Sequence, residues 1–319
     1  MSAAVPRWLA AAPPDVGVEI AARRVTVVQL AGGPSSRVIT AHATEPLPDG
    51  VVVPAINTSN VANPPACAEA LRRAFDKLGS RPTRVGLIVP DAAAKVSLVR
   101  FDKVPAREED LSQLIRWQVR KTAPFRIEDA QVSYLPGVAL LENGREFIVT
   151  LMRRDVVEEY EAVCATAGVH AGVVDIATFN LINLVLASGA PPGADWLLVN
   201  VSRDSTTIAI VRGGDLIFFR NRAGDGDGTL TDVVHQSAMY YEDRLAGTGF
   251  TRSILAGAMS GLRPGEGDAL RRALEERLGA RVESIDPRAV AALRDRIAAS
   301  PELLDTIAAP VGLLVREAA

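Results

Sequence analysis

Few residues of this chain combine the side-chain types and spacings that metal or thiol chemistry requires. The two cysteines, Cys67 and Cys164, form no CxxC pair, and the three histidines, His42, His170 and His235, show no ligand spacing. Two distant cysteines without such spacing are typical of small buried residues in a reducing compartment. We therefore expect neither a disulfide nor a metal site.

The glycine-rich loop at residues 224–228 (GDGDG) has acidic residues spaced as at the start of a calcium-binding loop. In that alignment Asp225 and Asp227 would be the first and third ligands. Thr229 then stands at the fifth position, which needs an acidic or amide ligand, and Gln236 stands at the twelfth, which needs a bidentate Glu. We interpret the loop as a flexible turn instead.

The composition is that of a globular protein with a sizeable core. Hydrophobic residues make up 48% of the 319 residues and charged residues 23%. The net charge of −3 argues against a nucleic-acid surface. No apolar run has the length of a membrane span, and residues 1–14 are expected to be a flexible N-terminus rather than a signal peptide. Together these features predict a cytoplasmic protein.

The most informative pattern is an internal repeat. Residues 18–33 (VEIAARRVTVVQLAGG) align without a gap with residues 199–214 (VNVSRDSTTIAIVRGG). Each copy is predicted to form a strand, a short polar turn and a returning strand that ends in Gly-Gly. Because each hairpin opens one half of the chain, we favour a duplication over two unrelated hairpins. Residues 187–194 (ASGAPPGA) are predicted to be the hinge between the halves.

Helical and strand patterns alternate along the chain, which predicts an α/β fold with mixed sheets. The hairpin strands are predicted at 17–20, 25–30, 196–201 and 206–211. The other predicted strands are 84–89, 96–101, 131–134, 146–152, 215–220, 252–256 and 281–284. Helices are predicted at 66–78, 106–122, 155–167, 176–187, 231–245 and 268–278, with two further helical stretches that flank Pro301.

Three groups of short motifs occur in an order that is similar to one known family. Residues 17–26 (GVEIAARRVT) match in outline a G-[IV]-D-[IL]-G-x-x-x-[VI]-K phosphate loop. The middle group comprises 101–105 (FDKVP), 108–114, 116–118 (RWQ), 124–125 (PF), 128–129 (ED) and 132–134, and the last comprises 255–259, 285–287 (IDP) and 310–316 (PVGLLVR). In this order the motifs resemble the actin-like ATPase superfamily and, within it, the type IV pilus assembly protein PilM family. The chain looks like a divergent member.

The resemblance implies a two-lobed actin-like fold, a duplicated ribonuclease-H-like α/β unit with a small α/β subdomain inserted in the first lobe. Residues 15–95 and 175–190 would form the first lobe, 96–174 the inserted subdomain and 195–319 the second lobe. Residues 226–231 (GDGTLT) run directly into the next predicted helix. The helical subdomain that relatives carry in the second lobe is therefore expected to be reduced or missing.

The resemblance also implies a nucleotide site between the lobes, in which acidic residues order hydrated Mg²⁺ and glycines let the backbone approach phosphate. The matching positions here are Glu19, Thr26, Asn200, Ser202, Thr206, Gly226 and Gly257. Asn200 stands where the second acid is expected, and Ala21 and Ser202 replace turn glycines. Because phosphoryl transfer depends on that charge, we expect no ATP hydrolysis and no required cofactor. Low-affinity binding of ATP and Mg²⁺ is left open.

The helix predicted after Pro105 carries the candidate partner surface. Leu111, Leu114, Ile115 and Val119 share one face, and Trp117 falls at its flank, where a tryptophan can contact a partner. In the PilM family the inserted subdomain and its neighbour form a groove for a short extended N-terminal peptide of the membrane protein PilN. The resemblance assigns this role here to Arg116, Trp117, Pro124 and Phe125.

The function implied by the resemblance is that of a cytoplasmic scaffold, without enzyme activity, in the inner-membrane platform that assembles a type IV pilus. Its expected partner is a PilN-like protein, through which alone it would contact the membrane. Self-association is left open, and nucleic acid is not an expected partner. The alternatives are an actin-like ATPase that switches its lobes, the equivalent component of a type II secretion system and, last, a small-molecule kinase.

Overall fold

The computed structural model describes residues 14–33, 36–189, 194–224, 229–263, 265–295 and 297–316, which form three sheets flanked by helices. The strands are β1 (Val16–Ile20), β2 (Arg24–Ala31), β3 (Val38–Pro46), β4 (Arg84–Val89), β5 (Ala94–Phe101), β6 (Ala130–Ala139), β7 (Arg145–Arg153), β8 (His170–Ile176), β9 (Asp195–Val201), β10 (Ser205–Arg212), β11 (Asp215–Ala223), β12 (Arg252–Ala256), β13 (Val282–Ser284) and β14 (Ala292–Leu293). The helices are α1 (Pro64–Leu78), α2 (Glu108–Arg120), α3 (Arg154–Thr166), α4 (Ala177–Ala187), α5 (Leu230–Arg244), α6 (Ala258–Gly261), α7 (Glu266–Leu278) and α8 (Pro301–Val315).

The two larger sheets repeat one topology. The strand order is β14-β3-β2-β1-β4-β8 in the first sheet and β11-β10-β9-β12-β13 in the second. In both sheets the first hairpin strand pairs antiparallel with its returning strand and parallel with the strand on its other side. The hairpin registers also correspond, because Ile20 pairs with Val25 and Val201 with Thr206. The predicted duplicated α/β fold is therefore confirmed.

The hairpins form because buried apolar strands alternate with short polar turns. All five residues of β1 are buried, as are most residues of β9. A hydrogen bond of 2.9 Å from the Ala21 N–H to the Arg24 carbonyl closes the first turn, and one of 2.8 Å from the Ser202 N–H to the Ser205 carbonyl closes the second. The two turns therefore have the same backbone closure.

Helices α4 and α8 contribute to an apolar core that the two larger sheets share. In this core Val28 and Ile88 of the first sheet and Leu198 and Ala209 of the second pack with Ile307 of α8. Helices α1 and α3 cover the outer face of the first sheet, and α5 and α7 cover that of the second. Burial of apolar area in these layers is the main stabilising contribution to such a fold.

The smaller sheet, in the order β5-β7-β6, forms a separate unit with α2. Ile115 and Val119 of α2 are fully or nearly fully buried against Phe147 and Val149 of β7. Three acidic residues in the first turn of α2 interact favourably with the helix dipole, which offsets the lack of a side-chain cap at this end. The opposite face of the sheet packs toward β11 of the second lobe.

Three strands that the sequence patterns did not predict, β3, β8 and β14, complete the first sheet. β8 pairs in parallel with β4, and α3 packs on β8 and α1. α3 and most of β8 fall within 96–174, the expected inserted subdomain, but the sheet places them in the first lobe. The observed insertion therefore spans β5 to β7, residues 94–153. β8 was missed because its short apolar run directly follows a helix.

The C-terminal region also differs from the expected boundaries. α8 packs on β1 and β2, and β14 pairs with β3, so parts of 195–319 belong to the first lobe. Of the two helical stretches expected around Pro301, only the second is a helix among the described residues. Pro301 is its first residue, and the Ser300 side chain accepts a hydrogen bond from the Leu303 N–H. Proline suits this position because its missing N–H would have no partner in the helix.

Two further expectations concern the second lobe and membrane insertion. Only residues 224–229 separate β11 from α5, which leaves no room for a helical subdomain between them, as expected. None of the helices in the described part of the chain has both the length and the apolar character of a membrane span. The expected tail, apart from Pro14, and residues 190–193 of the expected hinge lie outside the described residues.

Gly312 marks a close approach between α8 and α4. A Cβ built on Gly312 would lie 1.8 Å from the Asn180 carbonyl oxygen, a backbone atom that cannot rotate away. We expect Gly312→Ala to lower the free energy of unfolding by about 2 kcal/mol, because the two helices must separate. Urea unfolding followed by circular dichroism measures this change. Gly214→Ala, where a Cβ meets nothing within 4 Å, is the control, and equal effects of both substitutions would contradict the prediction.

Candidate functional site

A cavity of about 290 Å³ lies between the two lobes. Its walls are the two hairpin turns, the turn between β12 and α6, and one side of α8. The doubled topology places these turns at the same edge of their sheets, where ligands of α/β proteins commonly bind. The cavity is therefore the candidate functional site.

A carboxylate and a guanidinium face each other in this cavity. Oε2 of Glu19 lies 3.6 Å from Nη2 of Arg24, and both side chains are largely buried. Burial raises the pKa of Glu19 above its usual range, and the Arg24 charge opposes that rise. Arg24 also donates hydrogen bonds to the carbonyl and hydroxyl oxygens of Ser260, at 3.2 and 3.3 Å. Arg24 thus places a positively charged side chain of the protein in the cavity.

Asp91, at the end of β4, is the centre of a buried hydrogen-bond cluster. Its Oδ1 accepts a bond of 2.9 Å from the N–H of Thr178, in the first turn of α4. Its Oδ2 accepts bonds from the Thr178 hydroxyl, the Thr207 hydroxyl at 2.7 Å and Nδ2 of Asn200 at 3.1 Å. Nδ2 of Asn200 lies 3.0 Å from the Thr178 hydroxyl oxygen as well. We call these four residues the Asp91 cluster.

Several backbone donors around the cavity are engaged by protein groups. Asp305 of α8 accepts hydrogen bonds from the N–H groups of Gly257, Met259 and Ser260 at 2.7–2.9 Å. In the second hairpin turn, the Ser202 hydroxyl accepts a bond of 3.1 Å from the Ser205 N–H. Burial raises the pKa of Asp305, while the hydrogen bonds from Gly257 and Ser260 lower it.

The predicted nucleotide-binding residues divide into two groups. Glu19, Asn200, Ser202 and Gly257 line the cavity. Thr26 is fully buried in β2, with its hydroxyl 3.5 Å from that of Thr44, and Thr206 is half-buried in β10, so neither is among the lining residues. Gly226 lies outside the described residues.

The sequence patterns did not single out Arg24, Asp91, Thr178, Thr207 or Asp305. A signal existed for Asp91, because an aspartate directly after the Val-Pro end of a buried strand lies at the sheet edge where sites form. Arg24 is the first residue of β2, and its residue type carries no signal, because arginine is frequent throughout the chain. For Asp305 no local pattern exists, because its partners lie 45 to 48 positions away in the sequence.

This donor set does not fit a hydrated Mg²⁺ ion bound to a polyphosphate. Magnesium needs oxygen ligands, preferably carboxylates, that are free to face its water shell. Oδ2 of Asp91 already accepts three hydrogen bonds, Asn200 presents an amide donor, and Arg24 adds a positive charge. The described residues contain no group of three or more His, Cys, Asp or Glu side chains arranged to bind a metal ion.

The predicted partner-binding residues lie around the C-terminal end of α2. Trp117 is 59% exposed, and the Lys121 Nζ lies 5.3 Å from its ring centroid. Pro124 is exposed, Arg116 is half-buried, and Phe125 packs on the core of the inserted unit. Trp117 and Pro124 are therefore the members of this group that expose the most surface.

A separate groove of about 840 Å³ lies at the other end of α2. It runs between the start of α2 and the β6–β7 connection, with Tyr134 and Phe147 among its aromatic lining residues. None of the four predicted partner residues lines this groove. Sequence reasoning located the exposed tryptophan but gave no indication of this groove, whose walls come from separate segments of the chain.

Two ribonuclease-H-like lobes that enclose a cavity define the actin-like fold. The structure is similar to that in "PilM-PilN type IV pilus biogenesis complex", with a TM-score of 0.78, 19% identity and coverage of 94% of this chain and 97% of that chain. It is also similar to the ethanolamine utilization protein EutJ from Carboxydothermus hydrogenoformans, with a TM-score of 0.51, 12% identity and coverage of 96% and 91%. At these identities the matches show the fold alone.

The family of this chain follows from the match of its sequence to a family model. The model of the type IV pilus assembly protein PilM family matches residues 17–246, well over half of the chain. The chain therefore belongs to the type IV pilus assembly protein PilM family, and the predicted family membership is confirmed.

Asp175, near the end of β8, is a partly buried carboxylate whose titration should affect stability. Burial raises its pKa to about 6, against the opposing effects of the Ile176 N–H and of Arg316, whose Nη1 lies 3.6 Å from Oδ2. The folded state therefore binds more protons than the unfolded state between the usual pKa of 3.8 and about 6. Within that window the contribution of Asp175 to stability falls as the pH rises.

We expect Asp175→Asn to be more stable than the parent protein by about 2 kcal/mol above about pH 6, because the amide removes a buried charge. The advantage should vanish below about pH 4, where Asp175 is protonated in both states. Urea unfolding measured between these pH values tests this. A difference between the two proteins that does not vary with pH would contradict the prediction.

Proposed function

We propose that this protein is a catalytically silent scaffold of a type IV pilus assembly platform, and that it acts in the cytoplasm at the inner membrane. Membership of the PilM family supports a role in pilus assembly. The platform role and the location rest on that membership and on the fold match over 94% of the chain. The scaffold contacts the membrane only through its partner.

The observation that carries the absence of catalysis is the hydrogen bond from Asn200 to Asp91. Phosphoryl transfer relies on metal ions and cations that neutralise charge on the phosphates. At Asn200 the chain has a neutral amide, and that amide is bound to the nearby carboxylate at 3.1 Å. Arg24 and the engaged turn amides further reduce the sites open to phosphate. The cavity is thus proposed to be a degenerate nucleotide site with at most low affinity for ATP and Mg²⁺.

The partner in this proposal is the cytoplasmic N-terminal peptide of a PilN-like membrane protein. The fold match is to a protein solved as a PilM–PilN complex, which supports a partner of this kind. Trp117 offers the largest exposed aromatic surface of the inserted unit, and Lys121 adds a positive charge beside it. Exposed aromatic residues of this kind commonly contribute most of the binding energy in an interface.

The absence of catalysis is tested with ATP. We expect isothermal titration calorimetry with ATP and Mg²⁺ to give no saturable binding in the micromolar range, and phosphate release to equal that of a protein-free control, because of the two aligned hairpin positions, 19 and 200, only Glu19 carries a carboxylate. The alternative, an actin-like ATPase that switches its lobes, predicts Mg²⁺-dependent affinity that Glu19→Ala abolishes. That result would overturn the proposal of a silent site.

The partner surface is tested with the N-terminal peptide of a PilN-like protein. We expect the peptide to bind and Trp117→Ala to weaken binding about tenfold, because the substitution removes the aromatic anchor. Leu141→Ala is the matched control, since Leu141 is 90% exposed in the same inserted unit but lies in the β6–β7 connection. Stronger binding of the corresponding peptide from a type II secretion system would favour the secretion platform, and equal effects of both substitutions would exclude the Trp117 surface.

A further inference from the structure

The Asp91 cluster connects the two lobes directly. Asp91 and Thr178 belong to the first lobe, where the Thr178 N–H bond to Asp91 satisfies a donor in the first turn of α4. Asn200 and Thr207 belong to β9 and β10 of the second lobe. Two hydrogen bonds therefore run from second-lobe side chains to one first-lobe carboxylate oxygen.

Three of the four cluster residues are buried, and Asn200 is partly buried at the cavity wall. Thr178 and Thr207 are at most 1% exposed, and Asp91 is 5% exposed. The Thr207 hydroxyl donates to Asp91 and accepts a bond of 2.8 Å from Nδ2 of Asn221 on β11. Such a bond in a site of low dielectric is stronger than one at the surface, and breaking it leaves a buried carboxylate without its donors.

Two other contacts cross the same gap. Arg24 of β2 donates to Ser260 in the second lobe, and Asp305 of α8 accepts the amides of the turn at Gly257. α8 packs on the first sheet, so Asp305 joins that sheet to the second-lobe turn. Neither of these contacts requires a ligand between the lobes.

We propose that the Asp91 cluster is a permanent closure of the interlobe gap, so that the two lobes keep one relative position whether or not a nucleotide is present. Asn200 is the residue on which this closure depends. A carboxylate in its place would lie about 3 Å from Oδ2 of Asp91, and two like charges at that distance repel unless a proton or cation lies between them. The amide replaces that repulsion with a hydrogen bond.

The closure has a consequence for the inserted unit. β11 of the second lobe contacts β5 and β6, and the ring of Phe219 on β11 lies 5.7 Å from that of Phe179 on α4. Asn221, on the same strand, is bonded to Thr207 of the cluster. Fixing the second lobe therefore also fixes the strand against which the inserted unit packs. The inserted unit is presented to a partner in one arrangement.

Distance measurements by electron spin resonance can test the closure. Arg81→Cys in the first lobe and Arg272→Cys in the second place spin labels at exposed positions. The native Cys67 and Cys164 are fully buried, and burial raises the pKa of both thiols to about 12, so they stay unlabelled. We expect one narrow distance distribution that ATP with Mg²⁺ leaves unchanged.

Substitutions in the cluster should open the gap. Asn200→Asp is expected to broaden the distribution and shift it to longer distances, and Thr207→Val to do so to a smaller extent. Backbone amides of residues 198–207 should exchange hydrogen on the order of tenfold faster in Thr207→Val, because one buried hydrogen bond that opposes opening is lost. Thr207→Ser keeps the hydroxyl and should restore the parent values. Thr206→Val, one position along the strand and outside the cluster, is the matched control and should leave both measurements unchanged.

The closure is overturned if ATP with Mg²⁺ shifts the distances in the parent protein. It is also overturned if Thr207→Val and Asn200→Asp leave both distance and exchange unchanged. If Asn200→Asp does not fold, the comparison of Thr207→Val with Thr207→Ser still tests whether the closure exists. These outcomes are independent of partner binding, because failure of the PilN-like peptide to bind would contradict the proposed scaffold without changing any interlobe distance.

Discussion

The carboxylate of Asp91 is the buried charge around which the two lobes are arranged, and it has no cation among its hydrogen-bond partners. A carboxylate in such a position is stable only if donors compensate for its lost hydration. Two donors come from Thr178 of its own lobe and one each from Asn200 and Thr207 of the other. The separation of the lobes at the cavity is therefore constrained by the need to satisfy this one group. An amide at position 200 helps to meet that need by donating a hydrogen bond. A carboxylate at this position would instead bring a second negative charge beside Asp91.

The same constraint shapes the rest of the cavity. Several of its polar groups contact one another. Arg24 lies beside Glu19 and donates to Ser260, and Asp305 accepts bonds from the turn at Gly257, while Oε2 of Glu19 has no hydrogen-bond partner among the described residues. A site that binds a polyphosphate needs backbone N–H groups and carboxylates that remain free until the ligand arrives. Here the N–H groups of Ser205 and of the turn at Gly257 are engaged by side chains of the protein itself.

Much of the fold could be predicted from the sequence, because its determinants are local. The two hairpins follow from apolar strands around polar turns, and α1 follows from a periodic apolar face that ends at Gly79 in the left-handed conformation. The strands that were missed have different determinants. β14 is only two residues long and forms because β3 offers an unpaired edge. β8 belongs to the first sheet because β4 lies beside it, although more than 80 residues separate them in the chain.

For the candidate site, the sequence by itself determined which side chains are available: Glu19 and Asn200 follow from the two aligned hairpins, and the loss of the second acid follows from the residue at 200. Only the tertiary structure decided how these side chains are used. The bonds from Asn200 and Thr207 to Asp91 join residues 109 and 116 positions apart, from two strands of the second sheet to the residue that follows β4 of the first. No periodicity encodes such a contact, because it arises when two sheets pack around α4 and α8 and bring their edges to hydrogen-bonding distance.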